Sequence, residues 1–322
     1  MKKSTHRRMQ ISDEVFIRDY ETIGLSEMAR KYDFSMTAIR QRRRELEVKL
    51  KREIVSPRLP GPRTQADVES SLPLPHVPVN TTGLVLVGGD AHYWPGVNSV
   101  GHRAFVKFAR ELKPKVVIFN GDALDAASIS RFPPIGWEEQ PTLVDELNEV
   151  QARLGEIVDA SPRARHIWPL GNHDARFNTR LASVTPEFRG VEGTRLVHHF
   201  PKWEPCWSCE LNGEVVVKHR FRAGDHATQQ NTMRAGRSIV TGHLHSLRVT
   251  PFTDYNGTRW GVDSGTLADP YGPQFSYQEN NPRNHVSGFC VLTFHKGRLL
   301  WPEVVSVYDE KSVVFRGEVI RV

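Results

Sequence analysis

Residues 116–125 (VVIFNGDALD) decide the fold, because an apolar run leads into a turn that carries Asp122 and Asp125. A strand that is buried on both faces of a parallel sheet reads as a continuous apolar run. Acidic side chains directly after such a run lie at the carboxyl end of the strand, where open α/β sheets gather their ligands. This stretch therefore predicts an α/β domain whose functional side chains follow its strands.

Four further segments have the same form, each a strand-like run followed by metal-ligand residues. They are GLVLV before Asp90 and His92, HIWPL before Gly171-Asn172-His173-Asp174, EVVVK before His219, and SIVT before Gly242-His243-Leu244-His245. Parallel strands bring such side chains to one rim of the sheet. The mixture of carboxylate, amide and imidazole groups suits divalent Mn, Fe, Zn or Ni, and a carboxylate shared by two ligand sets is what a two-metal hydrolytic site needs.

The composition is typical of a globular protein, since 39% of the 322 residues are hydrophobic and 25% are charged. No apolar run approaches the ~20 residues of a membrane helix, and no apolar stretch follows the basic N-terminus, so we expect no secretory signal. The three cysteines, Cys206, Cys209 and Cys290, are too few for a disulfide framework. This cysteine usage predicts a reducing, cytoplasmic location.

The positive charge belongs to the N-terminal segment, where residues 1–58 hold 15 Lys/Arg and 9 Asp/Glu while the rest of the chain holds 28 of each. Residues 12–52 show helical spacing with a break near Asp33, which tolerates the left-handed turn geometry, and Ser35 is a suitable N-cap for the last helix. Residues 1–53 therefore resemble a basic helix-turn-helix module. Its second helix offers groups for phosphates or base edges: Arg40, Gln41, Arg42, Arg43 and Arg44. A solvated basic helix that supports oligomerisation is the alternative.

Residues 54–82 are rich in proline, serine and threonine, which predicts an extended linker and a catalytic domain over residues 83–322. Residues 100–112 and 142–161 read as amphipathic helices between strands, as in βαβ units. The tail after about residue 286 alternates around a turn at Lys296-Gly297, which predicts antiparallel strands.

The five segments, taken in order as D-x-H, G-D-x-x-D, G-N-H-D, H and G-H-x-H, resemble the calcineurin-like metallophosphoesterase family. Each piece alone is a weak signal, whereas the ordered set is highly specific. The resemblance covers roughly residues 83–270 and not the N-terminal module. It implies a four-layer α/β/β/α sandwich and a phosphoester hydrolase with two divalent metal ions, Mn²⁺ first and Fe, Zn or Ni as alternatives.

Carried over residue by residue, the resemblance implies three ligands for the first metal, one bridging carboxylate and three ligands for the second metal. A hydroxide that bridges the metals would be the nucleophile, His173 the general acid, Asp174 the group that orients His173, and Asp125 a supporting carboxylate. His219 is the least secure ligand, because KHRFRAGDH lacks the usual His-Gly pair and His226 is an alternative. The implied ligands are Asp90, His92 and His245 for the first metal, Asp122 as the bridge, and Asn172, His219 and His243 for the second.

The context of the motifs disfavours a Ser/Thr protein phosphatase, since Ala126-Ala127 stands where that branch carries Arg-Gly. Long connections carry aromatic and arginine side chains that suit bases and phosphates, although ordinary loop packing has equal weight. Together with the basic module, these features favour a nuclease that acts on DNA, similar to repair exonuclease-like enzymes of phages and mobile elements. Two alternatives remain: a phosphomonoesterase or small-molecule phosphodiesterase whose module serves for targeting, and a non-catalytic DNA-binding protein. The loop side chains are Arg131, Phe132, Trp137, Tyr271, Phe275, Tyr277 and Arg283.

Overall fold

The computed structural model describes residues 11–55, 75–134, 136–281 and 283–322, and the chain forms two compact units, Met1–Ser71 and Leu72–Val322. The division falls inside the stretch predicted to be a linker. Residues 56–74 of that predicted linker, and residues 1–10 of the predicted module, lie outside the described part. No described helix combines the length and the apolar character that a membrane span requires.

The N-terminal unit contains α1 (Asp13–Tyr32) and α2 (Met36–Leu50). The helix α1 is interrupted at Gly24, whose φ of 74° and ψ of 177° are not helical, so it acts as two shorter helices. Asp33 adopts the left-handed conformation that the sequence predicts for the turn, and the Ser35 hydroxyl accepts a hydrogen bond from the Ala38 N–H as the N-cap of α2. The unit thus has the short helices and the tight turn that the sequence predicts.

The four arginines predicted to meet DNA divide into two pairs. The Arg42 guanidinium donates to the Ile11 carbonyl and the Asp13 carboxylate, and it lies 5.2 Å from the Phe16 ring centroid. Arg43 pairs with Glu47 on the same helix. These two side chains therefore hold parts of the unit together, whereas Arg40 and Arg44 are exposed.

The C-terminal unit consists of two β-sheets and the helices that cover them. Its longer helices among the described residues are α3 (Val100–Leu112), α4 (Leu143–Ala160), α5 (Asp174–Val184) and α6 (Ala227–Ala235). Its strands are β1 (His76–Val79), β2 (Gly83–Gly88), β3 (Val116–Phe119), β4 (Arg165–Pro169), β5 (Glu204–Cys206), β6 (Ser208–Leu211), β7 (Val215–Val217), β8 (Ser238–Thr241), β9 (Arg248–Asp254), β10 (Gly257–Asp263), β11 (Gly288–His295), β12 (Arg298–Leu299), β13 (Glu303–Asp309), β14 (Ser312–Phe315) and β15 (Glu318–Arg321).

The larger sheet has the order β15-β14-β13-β11-β2-β3-β4-β5, with β12 paired to β11, and β2 to β5 run parallel. The smaller sheet has the order β1-β6-β7-β8-β10-β9, in which β7, β8 and β10 are parallel. The predicted helices at residues 100–112 and 142–161 are confirmed, and Thr142 is the N-cap of the second. The predicted antiparallel tail is confirmed by β11 to β15.

One boundary differs from the prediction. The strand β1 lies within the stretch 54–82 that was expected to be a linker, and it pairs in parallel with β6. The physical reason is the alternation of its residues: Val77 and Val79 are buried in the core, while Pro78 is exposed. A proline is acceptable there because β1 is an edge strand and has a neighbour on one side only.

The two sheets pack face to face, and helices cover their outer faces. Val87 and Ile118 of the larger sheet share a buried cluster with Val217, Val240 and other residues of the smaller one. On the other face of the larger sheet, Phe105 of α3 and further side chains of α3 and α4 form a second core. The helix α6 contacts β8, β9 and β10. The result is the predicted four-layer α/β/β/α sandwich, and the three cysteines are buried thiols within the core between its sheets.

Candidate functional site

The loops that follow β2, β3, β4, β7 and β8 bring the predicted ligands together, as the strand-end argument requires. The first group contains Asp90, His92 and His245, whose nearest ligand atoms all lie within 4.8 Å of one another. Asp90 Oδ1 is 3.0 Å from His245 Nε2 and also accepts the His243 backbone N–H at 3.0 Å. All three side chains are buried, so this group is a compact set of one carboxylate and two imidazoles.

A second group contains Asp122, His219 and His243, again with ligand atoms within 4.8 Å of one another. His219 Nε2 is 3.1 Å from Asp122 Oδ2, and both side chains are buried. His226, the alternative that the sequence left open, is exposed at the start of α6. The structure therefore places His219, and not His226, beside the central carboxylate.

Asp122 lies between the two groups, because its Oδ2 is 3.1 Å from His219 Nε2 and 3.9 Å from His92 Nε2. Three buried side-chain atoms of the predicted ligands have no hydrogen-bond partner: His92 Nε2, His219 Nε2 and Asn172 Oδ1. Leaving a buried polar atom unpaired costs about 1–3 kcal/mol. Such atoms on the predicted ligands fit divalent cations, which Asp122 would bridge.

The opposite nitrogens of two histidines are held by acceptors, which fixes the orientation of the rings. His92 Nδ1–H donates to Asp125 Oδ1 at 2.8 Å, and His219 Nδ1–H donates to the Asn120 carbonyl at 2.8 Å. Both bonds leave Nε2 as the atom that can bind a metal once it carries no proton, and support of this kind is usual for imidazoles that bind metal. The sequence did not indicate Asn120, because its backbone oxygen and not its side chain makes the contact.

Two motif glycines provide the space in which the carboxylates sit. A Cβ atom on Gly171 would lie 2.0 Å from Asp122 Oδ1, and one on Gly242 would lie 2.3 Å from Asp90 Oδ2. Real side chains do not approach so closely, so any larger residue at either position would displace a candidate ligand. These glycines are therefore part of the cradle for the candidate metal ions.

Many of the candidate ligands adopt a backbone conformation that L-residues rarely use. Such residues cost about 1–3 kcal/mol each and persist where the surrounding structure enforces them. Their side chains leave the chain in directions that regular strands and helices do not provide. Five of the seven predicted ligands have positive φ: Asp90 (51°), His92 (41°), Asp122 (49°), His243 (72°) and His245 (58°).

The electrostatics of the centre keep its carboxylates ionised. Burial raises the pKa of Asp122, but the neighbouring His219, His173 and His92 outweigh this and hold it well below its usual range. Burial lowers the pKa of His219, but the Asp122 and Asp90 carboxylates outweigh this and raise it to about 10. Imidazolium and carboxylate thus compensate each other here, and a cation that takes the place of the His219 proton keeps the charge balanced.

His173 lies beside this centre and is oriented by Asp125. Its Nδ1 donates to Asp125 Oδ1 at 2.9 Å and to the Asp125 carbonyl at 3.0 Å. Burial lowers the His173 pKa, but Asp122 and Asp125 outweigh it and raise the pKa above its ordinary value of 6.5. Arg176 donates to the Asp125 carbonyl at 2.9 Å, and its Nη2 lies 3.2 Å from His173 Nε2, to which it can donate only while Nε2 carries no proton. The sequence analysis missed Arg176, although its position one helical turn after His173 was a usable signal.

The orienting role predicted for Asp174 is therefore wrong, and Asp125 performs it. The buried Asp174 carboxylate instead accepts hydrogen bonds from the backbone N–H groups of Gly171, Asp122, Ala123 and Leu124, and from the Trp168 indole. Asp174 is the first residue of α5, so its side chain points back toward these loops and away from the His173 ring. Its carboxylate therefore holds the loop after β3 and the loop after β4 together.

We expect Asp174→Ala to lower the free energy of unfolding by at least about 3 kcal/mol, because each buried donor left without a partner costs about 1–3 kcal/mol. Asp174→Asn keeps one acceptor oxygen and should cost clearly less. Urea unfolding of the two variants beside the parent protein measures the difference. Equal stability of parent and Asp174→Ala would contradict this role of the Asp174 carboxylate.

Three further histidines, His198, His199 and His285, lie outside the predicted set of ligands. His198 and His199 bond to the backbone of Gly193. His285 lies against the first ligand group, with its ring centroid 4.4 Å from that of His245 and its Nδ1 3.5 Å from His245 Nδ1. No motif marks His285, because it reaches the site from a long loop and only the fold brings it there.

Comparisons with known proteins give structural similarity at low identity. No protein-family model and no curated protein matches the sequence. Vps29 of Entamoeba histolytica, solved with Zn²⁺, is 16% identical, with 74% of this chain and 98% of that chain covered and a TM-score of 0.38. The phosphoesterase YfcE of E. coli is 14% identical, with 68% and 97% covered and a TM-score of 0.31. A serine/threonine phosphatase of Saccharomyces cerevisiae, similar to human PP5, is 14% identical, with 73% and 84% covered and a TM-score of 0.35.

Proposed function

We propose that this chain is a phosphoester hydrolase that depends on two divalent metal ions. The observation that carries the proposal is the buried Asp122 carboxylate, which lies between two groups of ligands and within 4 Å of His92 Nε2 and His219 Nε2. Such a centre, when loaded, supplies an activated water and neutralises the charge of a phosphoryl group. Mn²⁺ is the first choice for the metal and Fe, Zn or Ni the alternatives, as the ligand mixture suggests.

The chain's own contribution to the reaction comes from His173, Asp125 and Arg176. Asp125 holds His173 Nδ1, so that Nε2 points to the cleft beside the centre. The Asp122 and Asp125 carboxylates raise the pKa of His173 and so favour the imidazolium, which can give its proton to the leaving oxygen. Arg176, which lines the same cleft, offers a fixed positive charge to the phosphoryl oxygens.

We further propose that the substrate is a phosphodiester of DNA, as in repair exonuclease-like enzymes. Support comes from the exposed Arg40 and Arg44 on the second helix of the N-terminal unit, and from the concentration of positive charge in that segment. A phosphomonoesterase or a small-molecule phosphodiesterase is the second candidate, because the metal centre alone serves either reaction. The complete set of ligands argues against a non-catalytic role.

The test is hydrolysis by metal-stripped protein after resupply of Mn²⁺, with end-labelled single- and double-stranded DNA and with p-nitrophenyl phosphate as substrates. The Asp122→Asn variant runs in parallel to exclude a contaminating nuclease. Cleavage of DNA by the parent alone supports the nuclease, and the product ladder gives its polarity. Release of p-nitrophenol without DNA cleavage favours the monoesterase. No hydrolysis of any substrate by protein that holds its metals would overturn the proposal.

For the N-terminal unit we expect the double variant Arg40→Ala/Arg44→Ala to weaken binding to short duplex DNA at all sequences alike. Each lost phosphate contact should reduce the slope of log K against log[salt] by about 0.9. Arg30→Ala is the matched control, since Arg30 is also exposed but lies on α1 in an ion pair with Glu27. Fluorescence anisotropy at several salt concentrations measures both quantities, and an unchanged slope in the double variant would contradict the DNA-binding role.

A further inference from the structure

A cleft of about 650 Å³ opens beside His173. Its inner wall consists of groups already described, among them Asn172, His173 and Arg176. Its outer wall comes from three other parts of the chain, namely the loop after β2, the segment before α4 and the loop before β11. We call this wall the outer cleft, and its residues are Trp94, Phe132, Glu138, Glu139, Gln274 and Tyr277.

Aromatic rings from all three segments line the outer cleft. Phe132 and Tyr277 are 60% and 58% exposed, and Trp94 is half-buried. Two of the segments are tied together, because the Ser276 hydroxyl donates to Glu138 Oε2 at 2.9 Å. The rings are thus held around one space. Stacking of a nucleobase on an aromatic side chain is worth about 1–3 kcal/mol.

The polar groups of the outer cleft are hydrogen-bond acceptors. Gln274 is 6% exposed, and its Oε1 is buried without a hydrogen-bond partner. Glu138 and Glu139 add two carboxylates that are exposed to solvent. An unpaired acceptor at the base of a cleft indicates a ligand that donates a hydrogen bond to it. The two carboxylates repel a further phosphate, so this ligand should be uncharged.

We propose that the outer cleft binds a single nucleoside that is esterified to the scissile phosphate. Its base stacks on the rings, and its amino or hydroxyl groups donate to Gln274 and to the two glutamates. The proposal rests on the proposed function, since it assigns a place to one of the two groups that flank the phosphodiester bond. Because the carboxylates disfavour the next phosphate of a strand, the nucleoside in the outer cleft should be a terminal one.

The test compares two diesters, a dinucleoside monophosphate and methyl p-nitrophenyl phosphate, which carries no nucleoside. For Gln274→Leu we expect kcat/KM for the dinucleoside monophosphate to fall about tenfold relative to kcat/KM for the methyl ester. The reason is the loss of one net hydrogen bond, worth about 1–1.5 kcal/mol. Gln274→Glu keeps an acceptor, so its ratio of kcat/KM values should stay close to that of the parent protein. Gln229→Leu, at an exposed position of α6, is the matched control. Phe132→Ala combined with Tyr277→Ala should shift the ratio further.

A second comparison addresses the charge of the outer cleft. A terminal phosphate added to the nucleoside in the cleft should lower kcat/KM, and Glu138→Gln with Glu139→Gln should relieve that loss. The 5′- and the 3′-phosphorylated dinucleotides are both assayed, because the direction of the strand is open. Equal use of all three dinucleotides by the parent would overturn the assignment of a terminal, uncharged nucleoside.

The outcomes separate the inference from the function on which it rests. Hydrolysis of both diesters with unchanged ratios in the Gln274 and the aromatic variants would overturn the nucleoside site and leave the hydrolase standing. No hydrolysis of either diester by the metal-loaded parent would overturn the phosphodiesterase activity on which the inference rests. In that case tryptophan fluorescence titration with the dinucleoside monophosphate reads the site directly. Binding that Gln274→Leu weakens would support the site, and absence of binding would refute it.

Discussion

Asp122→Asn is expected to abolish hydrolysis and to reduce the bound divalent metal from two ions to one or none. Asp122 is the only carboxylate that lies within 4 Å of imidazole nitrogens from both ligand groups among the described residues. Its replacement by a neutral amide of the same shape removes the bridge without opening a cavity. A metal centre supplies several kcal/mol of transition-state stabilisation, so the rate should fall on the order of 10³-fold or more.

Metal analysis of the purified protein and steady-state kinetics at saturating Mn²⁺ measure the two effects of Asp122→Asn. Asp159→Asn provides the matched control, since Asp159 is exposed on α4. The thermal unfolding midpoint shows that the fold is intact. Two tightly bound ions and a rate near that of the parent in Asp122→Asn would refute the bridging role.

His173→Ala should lower kcat by about 10²- to 10⁴-fold, the usual contribution of a general acid, while both metal ions remain bound. The loss should be large for substrates with a poor leaving group, such as a nucleoside hydroxyl, and small for p-nitrophenyl esters, whose leaving group needs no proton. His226→Ala is the matched control, because His226 is exposed and belongs to none of the ligand groups. An equal loss for good and poor leaving groups would contradict proton donation by His173.

The dependence of activity on pH provides a second test of the role of His173. His173 acts in its protonated form, and its pKa is raised above 6.5 because the Asp122 and Asp125 carboxylates outweigh burial. Activity on substrates with a poor leaving group should therefore persist through neutral pH and decline as the pH rises through the raised pKa. The decline should be absent in His173→Ala. In Asp125→Asn it should move to lower pH, because one of the two carboxylates that raise the pKa is gone.

The strand-end pattern was sufficient to predict an α/β domain and the gathering of the ligands, whereas the four-layer architecture followed from the family resemblance. The pattern works because a parallel strand fixes where its carboxyl end lies, so that Asp90, Asp122 and His219 must meet once the strands pair. The same logic preferred His219 to His226, since only His219 directly follows an apolar run. Where a side chain follows a strand directly, its place in the site can be inferred from local sequence.

The features that were missed depend on contacts between segments distant in sequence. Asp125 and Asp174 are both acidic neighbours of the motifs, and only the direction of α5 shows that Asp174 points to the backbone N–H groups while Asp125 faces His173. Strand β1 was hidden by its proline, Pro78, which is acceptable only at an edge position that sequence does not reveal. Gln274 enters through a long loop without periodicity.

The positive φ angles of the candidate ligands serve the reaction but are unfavourable for folding. At Asp90, His92, Asp122, His243 and His245 the backbone would be better served by glycine, which avoids a strain of about 1–3 kcal/mol at each position. A screen that scores only cellular abundance should therefore tolerate or even reward glycine at these positions, whereas a screen for catalysis should reject it. Opposite preferences at the same positions would show that selection keeps these residues for the reaction rate, although they lower the stability of the protein.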